Sequence, residues 1–210
     1  MKIMSIGGHC ADLIFLDQNI RVPGPVDNLY AIHGMESIVG LFSDFEEQLA
    51  RGWSNKEKKP IWYDGDSAYK YDYADYSCLH LNIENPVIME KVRARYATFL
   101  KFWDMVKSEP DCYFSYVLNP VDVRWRNRKN VLSKSTMNVL KEIDDFFPLN
   151  KLIVVGTQCM KTRDVWFKYY VDEIPAAVNY VNINDVNYKN KAAAQEQFNK
   201  YIEEKFGAKV

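Results

Sequence analysis

A cysteine follows a glycine turn near the start of the chain, in the run Ser5-Ile6-Gly7-Gly8-His9-Cys10. We expect a strand over residues 2–6 that ends at the two glycines, and a helix over residues 10–18. A helix N-terminus stabilises a thiolate, glycines let a ligand approach the backbone, and the free N–H groups of the first turn can bind an oxyanion. The pattern predicts a nucleophile at Cys10, with Gly8 and His9 beside the oxyanion. The alternative is a buried structural cysteine.

A cysteine nucleophile needs a base, and histidine is the usual one. The chain has three histidines, at positions 9, 33 and 80. His9 is adjacent to Cys10 and would point away from it at most helix starts, and His33 suits a cap or a surface position. His80 lies in a predicted strand over residues 78–83, where alternation places it opposite its two leucine neighbours. His80 is therefore the candidate base, and the alternative is a half-buried histidine bonded to a backbone carbonyl.

A third polar group would orient the base. Asn119 ends an apolar strand and follows the cysteine and the histidine in chain order. Asp27 lies in a loop rich in proline and glycine and is the other leading candidate, with Asn28 beside it as a substrate-binding residue. Asp122 is a weaker candidate. Each of these residues also suits an ordinary turn, because Asn and Asp side chains form local hydrogen bonds there.

The remaining motifs favour no cofactor and no metal. The chain has no GxGxxG fingerprint, no GxxxxGK[ST] loop and no HExxH pair. Asp64-Gly65-Asp66 resembles a metal-binding DxD motif, but we interpret it as a turn. The basic run over residues 124–129 is typical of a solvated loop.

Composition limits the classes of partner. The 210 residues carry 27 Lys and Arg against 28 Asp and Glu, a net charge of -1, which does not attract nucleic acid or an anionic membrane. No apolar run is long enough to span a bilayer, and no signal peptide is evident. The four cysteines form no CxxC pair. We expect reduced thiols, a cytoplasmic location and a small-molecule, peptide or glycan substrate; the oligomeric state is left open.

Strand and helix patterns alternate along the chain. They predict a single α/β domain over residues 1–210, with a mostly parallel or mixed sheet and helices on both faces, in three layers. A papain-like arrangement is the alternative fold. The expected helices cover residues 10–18, 36–51, 90–106, 135–147 and Lys191–Phe206, the last capped by Gly207; the expected strands cover residues 2–6, 78–83, Cys112–Leu118, 151–155 (closed by Gly156) and 178–183. Residues 21–28 and 53–60 are expected to be loops.

The opening run from Ser5 to Cys10 resembles that of a bacterial family described as papain-like cysteine peptidases, the domain of unknown function numbered 1796. In that family an aspartate loop follows, and Gly24-Pro25-Val26-Asp27-Asn28 occupies the corresponding place here, without the family's flanking aromatics. His80, then Arg93-Ala94-Arg95-Tyr96, then the apolar strand near residue 115 follow the family's order. The resemblance implies Cys10 as nucleophile and His80 as base, with Asp27 or Asn119 orienting the base.

The leading hypothesis is therefore a cysteine-dependent hydrolase or acyl transferase of the papain-like type, with a Cys–His pair. The alternative is a non-catalytic α/β module that binds a glycan or a sugar nucleotide in a polysaccharide-related pathway. It rests on the aromatic stretch over residues 61–77, where Trp62 and Tyr63 could stack on sugar rings. A third hypothesis, a partner-binding protein, rests on the overall aromatic content of 14%.

Overall fold

The computed structural model describes residues 1–6, 15–24, 42, 58–63, 66–73, 76–78, 86–118, 142–157, 176–183 and 191–208. Five strands form a parallel sheet; they are β1 (Lys2–Ser5), β2 (Arg21–Val22), β6 (Cys112–Leu118), β7 (Leu152–Thr157) and β8 (Asn179–Ile183). Their order across the sheet is β2-β1-β6-β7-β8. Three further strands form an antiparallel sheet, β3 (Lys58–Tyr63), β4 (Asp66–Tyr73) and β5 (Tyr76–Cys78). The expected α/β class is confirmed.

Both faces of the parallel sheet are buried, as in α/β sheets that carry helices on each side. Alternate residues of β7 divide between the two faces: Leu152 and Val154 belong to one apolar cluster, Ile153 and Val155 to the other. Helix α1 (Pro86–Ser108) covers the first side, called here the α1 face, through Tyr96, Phe99, Phe102 and Val106. Helix α2 (Lys191–Phe206) covers the second, called the α2 face. The described residues therefore form the three expected layers.

Helix α2 has the predicted bounds. Ala194, Phe198 and Ile202 recur every four residues and are fully buried against the α2 face. The helix ends where Gly207 adopts a positive φ of 67°, and its N–H donates to the Glu203 carbonyl at 2.9 Å. This is the usual left-handed glycine cap.

Helix α1 begins four residues earlier than the apolar stripe predicts and ends two residues later. Its first residue is Pro86, a favoured first helical residue because the missing N–H would have no intrahelical acceptor. The Trp103 indole N–H donates to the Phe146 carbonyl at 3.0 Å and ties α1 to the segment around residue 146.

Several boundaries differ from the predictions. The expected loop over residues 21–28 begins with β2, because Asp17 turns the chain: its carbonyl accepts from the N–H groups of Ile20 and Arg21, which lets residues 21–22 pair with β1. Within the helix expected over residues 10–18, Phe15 is helical. The chain then bends at Leu16 and forms a turn at residues 18–20, so the helix does not reach its expected end.

Gly156 does not close β7. It pairs with Leu118 on one side and Asn182 on the other, and the strand continues to Thr157. The strand predicted over residues 178–183 begins at Asn179. Phe42, the one described residue of the helix predicted over 36–51, is helical. The helix predicted over 135–147 is helical at residues 142–144 but gives way to turn and bend at residues 145–147.

The expected loop over residues 53–60 is also shorter, because β3 already begins at Lys58. Tyr63 pairs with Asp66, which leaves two residues, Asp64 and Gly65, between β3 and β4. An Asp-Gly pair is typical of a two-residue hairpin loop. Asp66 itself belongs to β4, so it is a strand residue and not part of the turn. Of the strand predicted over residues 78–83, only Cys78 is described, as the last residue of β5.

Candidate active site

The segment with the predicted nucleophile follows the carboxyl end of β1, where the order of the parallel strands changes direction. From β1 the chain pairs first with β2 on one side, and later with β6 on the other side. If the five parallel strands alone are numbered 1 to 5 in chain order, their order across the sheet is 2-1-3-4-5. This is the strand order of flavodoxin-like doubly wound sheets. In such sheets ligands bind beyond the carboxyl ends of the strands, at the point where the order reverses. Here that point lies between β1 and β6.

All the residues predicted for the site lie outside the described residues; they are Cys10, His80, Asp27, Asn119, Gly8, His9 and Asn28. The described strands show where their segments begin. The segment with Cys10 continues from Ile6, that with Asp27 from Gly24, and Asn119 directly follows Leu118. These segments leave β1, β2 and β6, which are neighbours, at one edge of the sheet. His80 differs, because its segment continues from β5 of the antiparallel sheet.

Gly24 packs against the end of β1. A Cβ atom at this position would lie closer than 3.0 Å to the Ser5 carbonyl oxygen and 3.2 Å from Cγ of Met4. Carbon does not approach a backbone oxygen that closely, so only glycine fits without a shift of the chain. The segment that carries Asp27 therefore starts in direct contact with the strand that leads to Cys10. A proline–glycine loop gives no sign of such a contact, and sequence reasoning missed it.

Two buried serines lie side by side beneath the same edge. Ser5 and Ser115 are Cα partners across β1 and β6, with exposed fractions of 5% and 0%. The Ile6 N–H donates to the Ser115 carbonyl at 2.9 Å, which extends the pairing one residue past β1. Within the part of the chain that the structure describes, Ser115 Oγ has no hydrogen-bond partner. These serines were overlooked because each lies inside an apolar run.

Cys112 lies at the opposite edge of the sheet. It pairs with Lys2 at the amino end of β1, and it is 1% exposed. Burial raises the pKa of the Cys112 thiol, and the Asp111 carboxylate raises it further. A buried thiol with a raised pKa is a poor nucleophile, so Cys112 is a structural cysteine.

The described residues contain no group of three or more His, Cys, Asp or Glu side chains arranged to hold a metal ion. Among the helices that the structure describes, none is both long enough and apolar enough to cross a membrane.

Comparison of the chain with family models, with curated proteins and with solved structures finds no match. The resemblance to the papain-like family therefore stays a prediction. The functional argument depends on the chain's own residues and on its strand order.

Proposed function

We propose that the protein is a cysteine-dependent hydrolase or acyl transferase with Cys10 as its nucleophile. One observation supports this most: β1, which leads to Cys10, is flanked by the two strands that lead to Asp27 and Asn119. All three segments start at the carboxyl edge, where sheets of this order place their sites.

Chain connectivity limits how far each candidate can lie from this edge. The Cα atom of Asn119 is about 3.8 Å from that of Leu118, and the Cα atom of Asp27 is at most about 11 Å from that of Gly24. Cys10 lies at most about 14 Å from Ile6 by the same reasoning. Each candidate therefore lies within about 14 Å of the carboxyl edge, and side chains from the three segments can reach one shared site.

In the proposed mechanism the Cys10 thiolate attacks the substrate carbonyl, and a carbon–sulfur bond forms. The N–H groups of Gly8 and His9 bind the oxyanion, and Asn28 contacts the substrate. As the bond to the leaving group breaks, protonated His80 donates its proton to that group. Water or an acyl acceptor then gives a proton to His80 and attacks the thioester, which releases the acyl group and restores the thiolate.

The orienting residue is either Asp27 or Asn119. Each would accept a hydrogen bond from the His80 ring, which holds the imidazole in the required tautomer. Asp27→Ala and Asn119→Ala distinguish the two candidates. Only the substitution that removes the orienting residue should release the His80 imidazole from the required tautomer and slow the reaction of Cys10.

The test is the rate of Cys10 alkylation by iodoacetamide as a function of pH, followed by mass spectrometry of the Cys10 peptide. We expect Cys10 to react as a thiolate well below pH of about 8.5, the ordinary value for a cysteine, and to lose this property in His80→Ala. Cys112 serves as an internal control, because its burial predicts slow alkylation in both proteins. An ordinary titration of Cys10 that is the same in wild type and His80→Ala would overturn the proposal.

The alternative function is a non-catalytic module that binds a glycan or sugar nucleotide. It depends on the aromatic stretch over residues 61–77 and not on the edge of the parallel sheet.

A further inference from the structure

One arginine of helix α1 lies where the helix otherwise presents apolar residues to the sheet. Phe99, Phe102 and Val106 are buried on the α1 face, and Arg95 precedes them by four, seven and eleven residues. This spacing places Arg95 on the same stripe of the helix. The Arg95 side chain is half-buried, and its Nη1 atom is buried. Within the part of the chain that the structure describes, this atom has no hydrogen-bond partner.

A buried guanidinium nitrogen without a partner is unusual. Arginine normally keeps its charged head in water while its stem covers apolar surface, and buried charges are paired because they have lost their hydration. Helix α1 supplies no carboxylate to Arg95, since the positions three and four residues away hold Lys91, Val92, Thr98 and Phe99. Lys91 is exposed and adds a second positive charge one turn away. The two cations therefore suit an anion that comes from outside the helix.

Arg95 lies toward the carboxyl edge of the parallel sheet. A short connection joins the end of α1 to the start of β6, so the helix runs opposite to that strand. The rings of Phe99 and Phe102 pack on Phe114 of β6, with centroid distances of 5.8 and 5.6 Å. The Cα atom of Arg95 lies about 6 Å beyond that of Phe99 in the direction of the carboxyl edge. Helical side chains lean toward the helix N-terminus, which here is the same direction.

Arg95 also lies on the side of α1 that is nearer β1. The opposite side is marked by Trp103, whose indole N–H donates to the Phe146 carbonyl in the segment that leads to β7. Arg95 lies two turns before Phe102, which is on the other flank of the helix from Trp103. Because β6 lies between β1 and β7, that flank faces β1. Arg95 is thus close to the point where the strand order reverses and where the segment with Cys10 begins.

We propose that Arg95 binds an anionic group, a carboxylate or a phosphate, on the acyl substrate of this edge. The planar guanidinium matches either group through two parallel hydrogen bonds. Burial strengthens these bonds, because the surroundings have a lower dielectric constant than water. Lys91 adds positive charge at the rim. The assignment to a substrate rests on the proposed function of Cys10, whereas the binding of an anion does not.

The first test is thermal unfolding of the full chain in sodium phosphate, sodium acetate and sodium chloride at equal ionic strength. We expect Kd on the order of 2 mM for at least one of the first two anions, so about 20 mM should raise Tm by about 3–6 °C relative to chloride. The larger shift identifies the group as a carboxylate or a phosphate. Arg95→Met should lose the shift, and Lys101→Gln, at an exposed position of the same helix, should keep it. The variants are needed because phosphate also stabilises proteins without binding to a site.

Stability in chloride is a second readout of the same variant. Arg95→Met should be at least as stable there as the wild type, because it removes an unpaired buried charge and keeps an apolar stem. An Arg95→Met protein that is less stable in chloride, or that does not fold, would show that the guanidinium is paired within the chain, and the proposal would be wrong. Equal anion shifts in Arg95→Met and wild type, or no shift with either anion, would also overturn it.

The second test relates the anion to Cys10. Iodoacetate carries a carboxylate, whereas iodoacetamide is a neutral reagent of similar shape, and both alkylate the same thiolate. We expect Arg95→Met to lower the ratio of the iodoacetate rate to the iodoacetamide rate at Cys10 roughly tenfold, and Lys101→Gln to leave it unchanged. An unchanged ratio in Arg95→Met would overturn the assignment to the substrate. The ratio does not depend on activation of the thiol by His80, so failure of the proposed function and failure of this proposal give different results.

Discussion

Replacing Gly24 by alanine should disturb the proposed site without touching any proposed catalytic residue. The added Cβ would lie closer than 3.0 Å to the Ser5 carbonyl oxygen and 3.2 Å from Cγ of Met4. The nearer atom belongs to the backbone of a buried strand, so it cannot rotate away as a flexible side chain would. The segment that begins at Gly24 must move instead.

The structure allows the size of this effect to be worked out. Ordinary contact distances exceed 3.4 Å, so relief of the overlap requires a shift on the order of 1 Å. Overpacking of this kind costs about 1–3 kcal/mol of unfolding free energy. A misplacement of about 1 Å can also lower the rate of a positioned reaction about 100-fold. If Asp27 orients the base, Gly24→Ala should therefore slow the reaction of Cys10 as well as lower stability.

Gly207→Ala provides a matched control. An added Cβ at Gly207 meets no atom within 4 Å, and the cost comes only from its φ of 67°. That strain should lower stability by about 1–2 kcal/mol, similar to the effect at Gly24. Gly207 follows α2 and is not part of the carboxyl edge, so Cys10 should react as in the wild type.

The assay is urea unfolding of both variants together with iodoacetamide labelling of Cys10 under native conditions. We expect a lower urea midpoint in both variants and altered labelling only in Gly24→Ala. A Gly24→Ala protein with the wild-type midpoint would show that the contact with Ser5 is absent. A lower midpoint with unchanged labelling would show that the segment after β2 does not orient the base, which leaves Asn119 as the candidate for that role.

Two further predictions concern the core and the dependence of stability on pH. Phe42 is 7% exposed, and the centroid of its ring lies 4.9–5.7 Å from the centroids of five other aromatic rings. Phe42→Ala should therefore lower the free energy of unfolding, measured in urea, by about 3–5 kcal/mol. Val87→Ala is the control, because the Val87 side chain is 57% exposed, and it should change the free energy of unfolding by less than about 0.5 kcal/mol. Equal losses of unfolding free energy in Phe42→Ala and Val87→Ala would refute the burial of Phe42 in the core. Burial raises the pKa of Tyr201 to about 12, whereas the pKa of a tyrosine in the unfolded chain is about 10. Between these two pH values the unfolded chain binds fewer protons than the folded protein, so the free energy of unfolding falls as pH rises. Tyr201→Phe should make that fall shallower between about pH 9 and about pH 11. An equally steep fall in Tyr201→Phe and wild type would contradict this prediction.

Much of the local structure follows from the sequence pattern alone. The apolar run of β6 and the four-residue spacing of Ala194, Phe198 and Ile202 predict β6 and α2 with the bounds that the structure has. The alternation of strands and helices predicts the α/β class. These features depend on neighbours within a few residues, so a single sequence carries them.

Other features depend on contacts between distant parts of the chain. Ser5 pairs with Ser115, and no periodic pattern states that β6 lies beside β1 or that β1 lies between β2 and β6. The two-residue β2 is too short to show alternation, and it exists because β1 offers it backbone partners. The packing of Gly24 on Ser5 is likewise a contact between separate segments.

The sequence by itself therefore determined which residue types could supply a cysteine nucleophile, the α/β class, and the bounds of β6 and α2. Only the tertiary structure decided that the segments with Cys10, Asp27 and Asn119 start at one edge of the sheet. The physical reason is that strand pairing satisfies backbone hydrogen bonds regardless of side-chain type. Strand order is consequently chosen by how the helices cover both faces of the whole sheet, and not by any local pattern of residues.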